Sequence, residues 1–412
     1  MLIFPISLII TLMKTITDPK KIDEILDRGI ITKIFPSKKE FREKLLSGKR
    51  LKLYIGFDAT APALHLGHAQ NFILMEEFRE LGHEVIILFG DFTARIGDPS
   101  GKQSARKQLS RKEVLKNIKA WRKMIKPLMR FEDKKNPPKI MYNHDWLSKL
   151  TLEEVVDLAS NFTVQQIMER DMFQKRLKEK KPIYLHEFLY PLMQGYDSVA
   201  MDVDVEVCGT DQIFNALAGR TLMKKLKNKD KFVVAVNLIA NPKTGELMSK
   251  SKGTGVFINV SAKDLYGQIM AQPDEMIEIL FIRITFLSLG EIKKIMKQNP
   301  KDAKMKLAFE ITKIFHKEKK AQEAENNFIK VFQEKKQPDK IEEFKVKKSK
   351  INIIDLLYNS GLAKSKSEAR RLIKQKGIKI NRKTIKKEQE IEINKKGIIL
   401  QRGKRRFRKI II

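Results

Sequence analysis

One cysteine, Cys208, in 412 residues leaves no internal partner, which excludes a disulfide framework and any cysteine-built metal cluster and fits a reducing, cytoplasmic setting. Long hydrophobic runs are missing as well. The opening "MLIFPISLIITLM" is apolar for 13 residues, too few to span a bilayer, and it carries neither a basic leader nor a small-residue cleavage site. It is expected to be an extension, an edge strand or dimer-packing segment, with Met13 as an alternative start. Acidic side chains are scarce, with 50 Asp+Glu against 83 Lys+Arg for a net charge of +33. Such an excess points to a polyanionic partner, nucleic acid first. It concentrates at the end, where residues 345–412 hold 23 basic and 5 acidic side chains. A generally lysine-rich composition would explain part of it. No internal repeat is present.

What is there begins with alternation. "LKLYIGFD" (51–58) reads as a strand, "HAQNFILMEEFRELG" (68–82) has helical apolar spacing, and "EVIILFGDF" (84–92) is a buried strand. That is a parallel βαβ unit, and further strands at "PKIMYNHDW" and "VDVEVCGTD" extend it to a doubly wound sheet. Ligands are expected at the carboxyl ends of its strands. From residue 264 to 332 the patterns are amphipathic and helical, 333–350 is polar and reads as a linker, and 351–412 gives two short helices and a strand.

The chain has only six histidines, yet "LYIGFDATAPALHLGHAQ" (53–70) sets two of them, His65 and His68, three apart around Gly67. At the start of a helix this spacing puts both rings on one face beside the orphan amides and the positive end of the helix dipole. Phosphate is attracted there, and Gly67 leaves the backbone approachable. A zinc site does not fit, because no third ligand of suitable type lies nearby, and no metal site is expected elsewhere. The second candidate is "ELMSKSKGTG" (246–255). Its small residues, Lys250, Lys252 and the Ser249 and Ser251 hydroxyls could close over a triphosphate, although a solvated charged loop would look similar.

"HLGH" at 65–68 and "LMSKS" at 247–251 resemble the HIGH and KMSKS signatures of class I aminoacyl-tRNA synthetases, in that order. "YIGFD" (54–58), "GDPSGK" (97–102), "YNHDW" (142–146), "YPLMQGYD" (190–197) and "GTDQ" (209–212) are similar to the bacterial tyrosyl-tRNA synthetase family, over roughly residues 14–400. The resemblance implies that Tyr54 and Asp197 receive the phenolic hydroxyl of L-tyrosine, and that Asp98, Tyr190 and Gln194 hold its α-ammonium group, with Gln212 in the same pocket. It places Asp58 and Asp211 on the ammonium or ribose side, Gly56, Thr60, Gly67 and Met248 with His65 and His68 around ATP, and Lys102, Arg106, Lys250 and Lys252 on the departing pyrophosphate. The residue pattern agrees in one place: Tyr190, Gln194 and Asp197 are i, i+4, i+7 and share a helical face.

Two departures accompany the resemblance. Leu247 stands where the first lysine of KMSKS would be, and Ile55 stands where a polar side chain could have touched the ribose. The tail "SKSEARRLIKQKG" has a possible capping box, Ser365 with Glu368, sets Arg370, Arg371 and Lys374 on one exposed side, and is similar to the S4 RNA-binding domain. The reading is therefore an α/β protein. Residues 1–13 are an extension, 14–263 a Rossmann-type doubly wound catalytic domain, 264–332 a helical anticodon-side domain, 333–350 a linker and 351–412 a small α+β S4-like domain. The implied activity is ATP-dependent tyrosine activation and transfer to tRNA(Tyr), with Mg²⁺ arriving on ATP, by a homodimer. A tryptophanyl-tRNA synthetase shares the fold, but Tyr54 with Asp197 and the S4 tail argue against it. A non-catalytic RNA-binding relative is opposed by His65, His68, Lys250 and Lys252.

Overall fold

The computed structural model describes residues 14–98, 109–248, 254–333, 341–346, 349–381, 383–394, 397–403 and 406–412. The apolar extension 1–13 lies outside them. The chain divides into two compact units, the first ending at Glu318 and the second running Lys319–Ile412.

In the first unit, six strands form one sheet: β1 (Ile31–Phe35), β2 (Lys52–Phe57), β3 (Glu84–Phe89), β4 (Lys139–Tyr142), β5 (Val205–Gly209) and β6 (Phe232–Val236), in the order β1-β6-β5-β2-β3-β4. All neighbours are parallel except β1 against β6. β2, β3, β5 and β6 are mostly apolar because both faces of such a sheet are covered. The helices Leu66–Glu80 and Ile213–Lys227 carry the chain from β2 to β3 and from β5 to β6. β2 and β5 are neighbours whose onward connections lead to opposite edges of the sheet, which makes the crevice at their carboxyl ends the topological switch point.

Helices dominate beyond β6, including Ala262–Met270, Ile277–Ile284 and Leu289–Ile295, as the amphipathic spacing predicts. A long helical stretch, Pro300–Phe328, is interrupted at Lys317, whose φ is 69°.

The second unit is built on a five-stranded sheet of order β10-β9-β12-β13-β7 and a two-stranded one, β11-β8. Its strands are β7 (Glu343–Lys345), β8 (Lys350–Asn352), β9 (Ile378–Ile380), β10 (Lys383–Thr384), β11 (Glu390–Glu392), β12 (Ile398–Arg402) and β13 (Arg406–Ile411). Ile353, Leu356, Leu357, Ile373, Leu400 and Ile410 form its core, with Phe344 packed against them. β7 falls inside the span read as a linker; its pairing with β13 and the packing of Phe344 order three residues that have no strand signal of their own. Likewise, the tail contains several strands where the sequence shows one. Each is two to six residues long, too short for its alternation to register among lysines.

Candidate active site

A cavity of about 420 Å³ opens at the switch point. Tyr54, Gly56, Asp58, His65, Gly67, His68, Asp98, Tyr190, Gln194, Asp197, Asp211, Gln212 and Met248 all line it, so thirteen residues expected at the site are brought together. Thr60 does not line it; its side chain is exposed, and its backbone N–H donates to the Asp58 carbonyl at 2.8 Å. Lys102, Arg106, Ser249, Lys250, Ser251 and Lys252 lie outside the described residues.

The closed end is set by β2 and the helix His186–Met201. Asp197 on that helix is 3% exposed. Its Oδ1 accepts from the Trp146 indole N–H at 2.8 Å and its Oδ2 from the Asn143 amide at 3.3 Å. Burial pushes its carboxyl well above the usual range, while those two donors pull the other way and the Glu206 and Asp58 charges push it further up. Tyr54, also buried, lies 3.0 Å from Ser198 Oγ through its hydroxyl. Neither Asn143 nor Trp146 stands out in the sequence. Both lie just past β4, and "YNHDW" is the only signal, with nothing in it that names a partner 51 and 54 residues away.

Midway along the cavity, Asp58 just beyond β2 accepts from the Thr93 hydroxyl at 2.7 Å and the Tyr190 hydroxyl at 2.9 Å. Burial raises its carboxyl to about 7; the two hydroxyls oppose this, and the Asp98 and Asp91 charges add to it. A side chain at Gly90 would be impossible here, since a Cβ would sit 2.0 Å from Asp58 Oδ1. Gln212 donates to Asp98 at 2.5 Å. Gln194 donates to Glu206 Oε1 at 3.0 Å and accepts from Asn215 at 3.0 Å, leaving one lone pair on its carbonyl oxygen for a ligand.

The open end holds the histidines. His65 caps the helix Leu66–Glu80 and does not lie in its first turn. Its Nδ1 accepts from the Gly67 N–H at 3.1 Å, and His68 Nδ1 accepts from the His65 N–H at 3.3 Å. The two ring centroids are 4.0 Å apart. Burial lowers the pKa of His65, and burial together with the neighbouring His65 lowers that of His68 to about 3. Both rings are therefore neutral near pH 7. With each Nδ1 accepting, the single proton of each ring is on Nε2, where it can donate.

The described part of the second motif is anchored at the cavity wall, and the residue just beyond it is tied to the first motif. Met248 N–H donates to the Ile239 carbonyl at 2.8 Å, and Leu66 N–H donates to the Val256 carbonyl at 3.0 Å. Leu247, in the place of a lysine, is 42% exposed and adds an apolar wall to the cavity.

In the second unit, Arg370, Arg371 and Lys374 are exposed on the helix Lys366–Lys374. Arg370 Nε is 3.5 Å from Glu388 Oε2, which offsets part of that charge. Ser365 accepts from the Glu368 N–H at 3.1 Å, but the Glu368 carboxylate takes the Lys364 N–H and Arg402 in place of the Ser365 N–H, so only half of the expected capping box forms.

Residues 46–333 match the family described as tRNA synthetases class I (W and Y), and residues 353–393 match the S4 domain. A protein of Carboxydothermus hydrogenoformans named tyrosine–tRNA ligase is 41% identical over 405 residues, covering 94% of this chain and 97% of its own. One of the same name from Thermotoga maritima is 40% identical over 400 residues, covering 95% and 98%. Among solved structures, a C-terminally truncated mitochondrial tyrosyl-tRNA synthetase of Aspergillus nidulans shares the fold with a TM-score of 0.65 at 24% identity, over 76% of this chain and 94% of that one.

Proposed function

The chain belongs to the tyrosine–tRNA ligase family of class I synthetases, and from that premise we propose that it joins tyrosine to ATP as tyrosyl-adenylate and passes the tyrosyl group to the 3′ end of tRNA(Tyr). The observation that carries this is one cavity with a buried Asp197–Tyr54 pair at its closed end and two Nε2–H imidazoles at its mouth. A phenol at the closed end donates to Asp197 and accepts from Tyr54. The α-ammonium group then lies among Asp58, Asp98, Tyr190, Gln194 and Gln212, and the nucleotide against Gly56, Gly67, Asp211 and Met248.

Chemistry follows from placement. The tyrosine carboxylate oxygen bonds to the α-phosphorus of ATP while the bond from that phosphorus to the pyrophosphate oxygen breaks, and no proton has to move. Catalysis is then positioning plus electrostatic support of the charge passing to pyrophosphate. His65 and His68 donate from Nε2 where that charge develops. Lys102, Arg106, Lys250 and Lys252 are assigned to the leaving pyrophosphate and Ser249 and Ser251 to ATP, and Mg²⁺ carried by ATP would supply further neutralisation.

Residues 14–263 are assigned to activation, 264–332 to anticodon-side contacts, and 351–412, with Arg370, Arg371 and Lys374, to an RNA grip joined to the core by 333–350. A second copy of the chain is the proposed cover for an apolar hollow of about 240 Å³ lined by Leu147, Leu150, Leu158, Leu189 and Leu192, beside Leu152 and Leu185, which are 80% and 78% exposed. Acting on tRNA and ATP, the enzyme is placed in the cytoplasm. ATP–pyrophosphate exchange measured with each of the twenty amino acids tests the reading: exchange is expected with tyrosine alone, and exchange with none would overturn it.

A further inference from the structure

At the closed end of the cavity lies a buried ion pair whose carboxylate lines the wall and holds Gln194, and whose lysine the reaction described above does not use. Lys231, the residue before β6, has a side chain 0% exposed, and Glu206 on β5 is 2% exposed. Glu206 is in register with Tyr54 across the β2–β5 pair. Lys231 Nζ donates to Glu206 Oε2 and, at 2.9 Å, to Ser198 Oγ. Ser198 Oγ is in turn 3.0 Å from the Tyr54 hydroxyl. The niche is built for the ammonium group: a Cβ on Gly219 would lie 2.6 Å from Nζ and 2.9 Å from Ser198 Oγ. An ion pair stripped of water is a weak source of stability.

Hydrogen-bond polarity gives it a task. An ammonium group only donates, so Ser198 Oγ accepts from Lys231 and keeps one proton of its own to give. Two acceptors compete for that proton: the Tyr54 oxygen at 3.0 Å and Glu206 Oε2 at 3.4 Å, which already takes Lys231. The shorter bond to Tyr54 takes up the Tyr54 oxygen, so the Tyr54 proton is left to Glu206, which also draws on that hydroxyl, or to a group in the cavity. We propose that Lys231, acting through Ser198, is a positioning residue that turns the Tyr54 hydroxyl proton toward the substrate phenol and so helps set the preference for tyrosine over phenylalanine. This inference rests on Tyr54 and Asp197 being the phenol site. Without Lys231, Ser198 Oγ lacks a donor and takes the Tyr54 proton itself; without Ser198, Glu206 draws that proton.

The test is kcat/KM for tyrosine and for phenylalanine in ATP–pyrophosphate exchange, with Ser198→Ala and the charge-free pair Lys231→Met/Glu206→Gln, each made in the parent and in a Tyr54→Phe background. Each change is expected to lower the tyrosine-over-phenylalanine ratio by about 2- to 12-fold in the parent, the size of one neutral hydrogen bond; the phenylalanine value should stay unmoved in Ser198→Ala, whereas the paired change also shifts Gln194, which acts on both amino acids alike. In the Tyr54→Phe background neither should lower it further. Equal losses for both amino acids, or the same fall in ratio without the Tyr54 hydroxyl, would overturn the relay and leave a structural role. If the paired substitution fails to fold, Ser198→Ala alone decides. Should Tyr54→Phe keep the parental ratio, the phenol-site reading fails and the relay with it; a lowered ratio in Tyr54→Phe but not in Ser198→Ala overturns the relay only.

Discussion

The Trp146 indole N–H meets Asp197 Oδ1 at 2.8 Å, a donor-only group held against an acceptor at the closed end of the cavity. Asn143 holds the other oxygen from the same short segment. Asp197 is thus aimed by two groups from outside its own helix. Asp197→Ala should abolish most tyrosine activation. Trp146→Phe should raise KM for tyrosine by a smaller amount, about 1 to 3 kcal/mol, the cost of leaving a buried acceptor one donor short. Tyr54→Phe should cost about 0.5 to 1.5 kcal/mol, as for one neutral hydrogen bond. Pyrophosphate exchange with tyrosine and phenylalanine checks all three; full discrimination in Asp197→Ala would place the phenol site elsewhere.

Asp58 predicts a pH dependence. Its carboxyl, raised by burial to about 7, is protonated below that pH and then cannot pair with an ammonium group. kcat/KM for tyrosine should fall about tenfold per unit as the pH drops below about 7, and Asp58→Asn should flatten that limb. Stability runs the other way. A carboxyl with a raised folded-state pKa contributes fully below its unfolded value of about 4, and that contribution is lost as the pH rises through about 7. Asp58→Asn should therefore raise Tm more at alkaline than at acidic pH, which calorimetry would read.

His68 should act without titrating. With its imidazole held at about 3 by burial and His65, it stays neutral over the working range, so no break in rate assignable to it should appear between about pH 5 and 8. His68→Ala should slow single-turnover tyrosyl-adenylate formation by roughly 10²- to 10³-fold, the loss found when one donor to developing charge is removed. KM for tyrosine should hardly change, because the histidine lies at the opposite end of the cavity. An equal loss of tyrosine affinity would count against this role.

For the basic tail, the fold changes where a deletion belongs. A cut at 351 would strand β7, which pairs with β13, so the chain should be ended after Gln333. That truncation should weaken tRNA binding and flatten its dependence on salt, since fewer phosphate contacts release fewer counterions. Pyrophosphate exchange should persist. Loss of exchange in a folded truncation would show that the tail serves activation as well.

Periodicity and local chemistry were enough for much of this. Tyr190, Gln194 and Asp197 fall on one face of a helix because 3.6 residues make a turn, whatever the rest of the chain does. His65 and His68 meet because i, i+3 spacing at a helix start brings rings together, and β2, β3 and β5 announce themselves as runs that only a doubly covered sheet would bury. The contacts that give those residues their character are of another kind. Trp146 reaches Asp197, and Lys231 reaches Ser198, across separations of 51 and 33 residues that no local pattern encodes. The neutrality of His68 and the raised carboxyl of Asp58 come from desolvation, which exists only once several elements have closed around a group. Sequence alone determined which chemical groups the protein brings to its site. Tertiary structure decided which way their protons point and what charge they carry, because hydrogen-bond direction and burial are properties of surroundings assembled from distant parts of the chain.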